Sequence, residues 1–109
     1  MSDDGFYDID FKIIVINAKY KNTRRGARAL AHEYAHFKDK EAGKFHEFFH
    51  HQIKKYNEKR MKEVIGAEQS AGIGAAKILL EYGKKYNPEE TNAKKLPALM
   101  KFWKKYYFS

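Results

Sequence analysis

From Val64 to Tyr86 the chain sets apolar residues at helical spacing and places one carboxylate among them. At about 100° per residue, Val64, Ala67, Ala71, Gly72, Ala75, Ile78, Leu79, Tyr82 and Tyr86 fall on one stripe, with Glu68 in its middle. A core-facing carboxylate is costly unless a cation meets it. Two partners are open to Glu68: a metal ion, or a buried base such as Arg28. Glu63 and Glu81 fall off the stripe and read as solvated. The small residues Ala67, Ala71, Gly72, Gly74, Ala75 and Ala76 let another helix approach closely.

Upstream lies "HEYAH", residues 32 to 36, flanked by the uncharged Ala29, Leu30, Ala31 and Phe37. Residues four apart share one face of a helix, so His32 and His36 can aim two imidazoles at one ion, with Glu33 beside them. In such a motif a zinc ion activates water and the glutamate takes its proton. A catalytic zinc wants three protein ligands and an open position, and Glu68 fits the third place. A second copy, "HEFFH" at 46 to 50, sits among Phe45, Phe48, Phe49, Ile53 and Tyr56 and runs into polar sequence at His51. It reads as structural. His46 is nonetheless an alternative third ligand, and the choice between it and Glu68 stays open.

The chain has 109 residues and no cysteine. Disulfides, thiolate catalysis and cysteine-based zinc modules are thereby excluded, so a metal here must use histidine and carboxylate. No stretch approaches the roughly 20 apolar residues of a membrane helix. The acidic start "MSDDGFYDID" lacks the basic and apolar regions of a signal peptide; the expectation is a soluble, cytoplasmic protein. A net charge of +8 raises nucleic-acid binding, but the lysines come in scattered pairs such as Lys84-Lys85 and Lys104-Lys105, the pattern of a solvated face. A third of the residues are charged, a composition met in hyperthermophile proteins.

The expected fold is one α+β, mostly α domain over 1–109. Residues 1–23 hold a small sheet, with "FYDIDFKIIVI" as one strand or a tight pair. Residues 24–87 carry three helices: about 24 to 39, capped by Asn22 or Thr23; about 44 to 59; and about 60 to 86, ended by Asn87-Pro88. Residues 88–109 form a C-terminal segment in which Pro97 opens a short helix.

HExxH followed by a glutamate on a later helix resembles the gluzincin metallopeptidases. "EQSAGIGAAKIL", residues 68 to 79, is similar to the glutamate helix of their compact membrane-protease and phage-repressor-protease relatives, with Glu68, Ala71, Ala75, Ala76 and Leu79 in register. At this length the likeness is to the minigluzincins, small soluble single-domain zincins of thermophilic prokaryotes, and it covers residues 10 to 86. The resemblance implies a zincin-like fold and a zinc metalloendopeptidase in which His32, His36 and Glu68 hold Zn²⁺ and Glu33 is the general base. It also implies that Ile13 to Ile16 borders the cleft, where an extended peptide substrate could pair. Relatives carry Asp or Asn four residues after the glutamate ligand, where this chain has Gly72. Some small zincins instead take a histidine about ten residues after HExxH, a place that His46 fits.

The oxyanion of such a reaction needs a further donor, for which Tyr82, Tyr86, His50 and His51 are candidates. The C-terminal segment, with Leu96, Leu99, Met100, Trp103 and Tyr107 on one face, has two readings. It docks on its own core, or it covers the cleft or exchanges with a second subunit; minigluzincin zymogens are held latent by such segments. The rival function is a non-enzymatic basic module binding nucleic acid or a protein partner, its histidines structural. A third reading is a factor that cleaves one specific partner.

Overall fold

Capping side chains decide where the helices begin. In a computed structural model, which describes residues 4–50 and 55–108, Thr23 accepts a hydrogen bond from the Gly26 amide and opens α1, Arg24–Glu41. Asn57 accepts from the Arg60 amide and opens α3, Glu58–Glu81. Such caps satisfy amides that a helix start leaves without partners. Between them lies α2, His46–His50, and the backbone is non-helical from 55 to 57, so no single helix runs from 44 to 59. The extended Asn57 cap requires non-helical backbone just before α3. Pro97 lies in the first turn of α4, Leu96–Tyr107.

The third helix ends at Glu81, five residues before the expected end at Tyr86. Gly83 adopts φ +75, and the amides of Gly83 and Lys84 return to the carbonyls of Leu80 and Leu79. A left-handed glycine closing the last turn stops a helix whatever the apolar pattern beyond it. Tyr82 and Tyr86 therefore leave the stripe: Tyr82 is exposed, and Tyr86 turns back along a loop.

The N-terminal segment forms the tight pair of strands. β1, Gly5–Asp8, runs antiparallel to β2, Ile13–Ile16, in the register Gly5 to Ile16 and Asp8 to Ile13. The Asp8 carboxylate accepts from the amides of Asp10 and Phe11 and so shapes the connecting turn. The architecture is α+β and mostly helical, a two-stranded sheet followed by four helices.

α1 packs along α3 at unusually close range. A Cβ placed on Gly74 would lie 2.8 Å from the Cβ of Ala35, so only glycine permits this approach. Ser70 adds a hydrogen bond of 2.8 Å to Asp39 across the same interface. Two apolar clusters flank it. Ala31, Ala75 and Leu79 form one; Met61 and Val64 with Trp103 and Phe108 of the C-terminal segment form the other. The segment therefore docks on its own chain and completes the core. Among the described residues no helix is long and apolar enough to cross a membrane.

Candidate metal centre

Close packing of α1 on α3 sets three donors together. His32 and His36 project from one face of α1, and Glu68 meets them from the buried face of α3. His32 Nε2 lies 3.2 Å from Glu68 Oε2, and His36 Nε2 lies 3.0 Å from Glu68 Oε1. The three donor atoms all fall within 4.8 Å of one another. A tetrahedral zinc with bonds of about 2.0–2.1 Å has edges near 3.3 Å; each histidine approaches that separation to a different oxygen of Glu68. Two imidazole nitrogens and a carboxylate oxygen, largely buried, are a donor set open to several first-row metals, zinc and iron among them.

The partner that Glu68 meets is thus a pair of histidines and not Arg28, which is exposed and stacks on the Tyr86 ring at 5.0 Å. Its other contact comes from the C-terminal helix, where the Tyr107 hydroxyl donates to Glu68 Oε1 at 3.1 Å. Burial pushes the Glu68 carboxyl up, but the hydrogen bonds and charges of His32 and His36 outweigh it and hold Glu68 well below the usual carboxylate range. Burial likewise disfavours a charged His32. Its hydrogen bond to Glu68 and the charges of Glu68, Glu90 and Glu33 reverse that and raise the imidazole to about 9. The Tyr107 hydroxyl is pushed up by burial and then by the charge of Glu68, so it stays a donor.

Glu33 lines the same cavity and is not a member of the donor group. Burial raises its carboxyl, against the pull of His36 and His32. That is the direction expected of a general base working near neutral pH. The cavity holds about 860 Å³, within the range of small-molecule and peptide sites. Its lining includes His32, Glu33 and Glu68 together with Trp103, Tyr106 and Tyr107 of α4.

The remaining sequence candidates separate. Tyr86 borders the cavity, and burial with the charge of Glu90 pushes its hydroxyl up to about 12. Tyr82 is exposed and is not part of the cavity wall. His46 and His50 are exposed on α2, their rings 4.6 Å apart, and neither joins the donor group. His51 lies outside the described residues. The apolar residues of the second motif matter more than its histidines: Phe48 stacks on the His36 ring at 5.4 Å and Phe49 meets its edge at 5.9 Å. Glu63 is not simply solvated, since it accepts from the Phe48 amide at 3.1 Å and so fixes α2 over His36. The cavity is bordered by Asp4 and Gly5 at the start of β1 rather than by Ile13–Ile16.

Two contributors escaped the sequence. Tyr107 was legible only as part of an apolar face, and Glu90 only as part of a polar loop. Neither stands at a spacing from the histidines that any local pattern reveals. Comparison of the chain with protein-family models, with curated proteins and with solved structures finds no match.

Proposed function

We propose that the chain is a zinc-dependent metallopeptidase whose metal is held by His32, His36 and Glu68. The observation that carries this reading is the convergence of those three donors from two helices, with His32, Glu68 and Glu33 lining a cavity of about 860 Å³. Zinc at such a site supplies Lewis acidity and a water whose pKa falls toward 7. Glu33 takes a proton from the attacking water and later delivers it to the leaving amine. His32 and His36 keep their Nε2 atoms aimed at one point because they are one turn apart on α1. Tyr86 borders the cavity and remains protonated at neutral pH, so of the described tyrosine and histidine candidates read from the sequence it is the one in place to donate to the developing oxyanion.

The C-terminal helix gives this reading a latent form. Tyr107 occupies one oxygen of Glu68, and Trp103, Tyr106 and Tyr107 line the same cavity as His32, Glu33 and Glu68. A peptide entering there meets α4, and a metal binding there competes with the Tyr107 hydroxyl.

One observation favours a second reading. Glu68 is already met by His32, His36 and Tyr107 without a metal, and a satisfied buried polar network can serve structure alone. Zinc content of the purified and zinc-reconstituted protein separates the two. One zinc per chain that is lost in Glu68→Gln and kept in His46→Ala is the result expected of the metal site. No zinc in the wild type, even after reconstitution, leaves the network structural and the peptidase reading refuted.

A further inference from the structure

Glu90 stands in a place that the metal-site reading leaves without a role. It belongs to a 3₁₀ turn, Glu89–Thr91, that crosses the buried face of α3 just where that helix has no side chain. A Cβ on Gly72 would come within 2.8 Å of Glu90 Oε2 and 3.4 Å of its Cδ. The carboxylate thus fills the space that any residue other than glycine would take. Its backbone is held there: Gln69 Nε2 donates to the Glu90 carbonyl at 3.1 Å, and Thr91 Oγ1 donates to the Pro88 carbonyl at 2.9 Å.

The carboxylate is aimed at His32. Glu90 Oε1 lies 3.8 Å from His32 Nδ1, an ion-pair separation, while His32 Nε2 faces Glu68 on the other side of the ring. Glu90 Oε2 is buried with no hydrogen-bond partner among the described residues, and no described lysine or arginine forms an ion pair with Glu90. Its own backbone amide eases its burial and its charge reaches the Tyr86 hydroxyl, but its ion-pair partner among the described residues is the His32 imidazole.

Resting on the metal-site reading, we propose that Glu90 is the positioning residue of His32. Its charge faces the Nδ1–H side of the ring, fixes the ring's orientation, and leaves Nε2 turned to the metal. A carboxylate behind a ligating histidine fixes its tautomer and raises its basicity, and loss of one typically weakens metal binding 10–100-fold. Here the carboxylate comes from a segment distant in sequence, and Gly72 is what admits it.

The test pairs zinc affinity, measured by chelator competition, with the ¹⁵N-coupled Nδ1–H resonance of His32, recorded both metal-free and zinc-loaded. Glu90→Ala should weaken zinc about 10–100-fold and lose the slowly exchanging Nδ1–H signal. Glu90→Gln, which keeps size and one acceptor oxygen, should keep that signal and lose less affinity. The double variant Gly72→Asp with Glu90→Ala should recover part of both, since the new carboxylate enters the vacated space. Wild-type affinity together with an unchanged Nδ1–H resonance in Glu90→Ala overturns the assignment. Should Glu90→Ala not fold, wild-type affinity in Glu90→Gln with a fast-exchanging Nδ1–H overturns it equally. A wild type that binds no zinc refutes the metal site itself, while the metal-free resonance still decides whether Glu90 holds His32.

Discussion

Zinc binding should strengthen about tenfold as the pH rises from 7 to 8, far more steeply than histidine ligands ordinarily allow. The perturbation is the proton on His32. Burial disfavours the imidazolium, but Glu68 and the neighbouring carboxylates retain it to about pH 9 in the metal-free protein. Zinc requires the neutral ring. With a midpoint near 9, about 1% of the protein is competent at pH 7 and about 10% at pH 8. An unperturbed imidazole, with a midpoint near 6.5, would change the affinity only about 1.3-fold over that interval. Glu68 adds nothing to the slope, since the histidines keep it ionised well below neutrality. Competition against a chelator of known protonation constants measures the effect directly. An affinity that is flat between pH 7 and 8 would show that no such proton is displaced, and the electrostatic account of the trio would fall. Stability supplies an independent check. Because the folded-state value is raised, the stability His32 contributes is complete below about pH 6.5 and disappears as the pH rises through about 9. It amounts to on the order of 3 kcal/mol and is shared by three coupled groups. The metal-free melting temperature should therefore fall between pH 7 and 9.

Three further outcomes are expected. Glu33→Gln should keep its zinc and its melting temperature while peptide hydrolysis drops by at least about 100-fold; full activity in that variant would remove Glu33 from the chemistry. Gly74→Ala pushes a methyl to within 2.8 Å of the Ala35 Cβ, which should cost about 1–3 kcal/mol by chemical denaturation and widen the donor group enough to weaken zinc. An unchanged midpoint would mean that the helices give way freely. Tyr107→Phe deletes a hydrogen bond to a buried carboxylate, so the metal-free protein should lose about 1.5–3 kcal/mol while zinc binds more tightly; weaker zinc binding would make Tyr107 a support of the site rather than a competitor for it. This point variant is preferable to truncation near Asn87, because Trp103 and Phe108 share a core with Met61 and Val64 and their removal would expose it.

Much of the site was legible because its chemistry is local. Two histidines at a helical repeat, and a carboxylate on an apolar stripe, each declare a buried polar position whatever surrounds them. Where local signals competed, the stronger backbone constraint prevailed. Gly83 ended α3 before the apolar stripe did, and the extended Asn57 cap started α3 afresh at Glu58. Tyr82 was misread with the stripe for the same reason. The role of Phe48 and Phe49 over His36 was hidden because the motif that contains them draws attention to its histidines instead.

By itself the sequence determined the helical, α+β class, the absence of cysteine ligands, the face shared by His32 and His36, and the need of Glu68 for a cationic partner. Those follow from periodicity and from the cost of burying charge, which are properties of one segment at a time. Only the tertiary structure decided which partner Glu68 meets, that Tyr107 and Glu90 reach the same centre from the C-terminal third, and that His46 and His50 do not. Such contacts join residues more than twenty positions apart. They depend on how closely two helices approach, here set by Gly74 against Ala35 and by the open space at Gly72, and distance in space leaves no period in the chain.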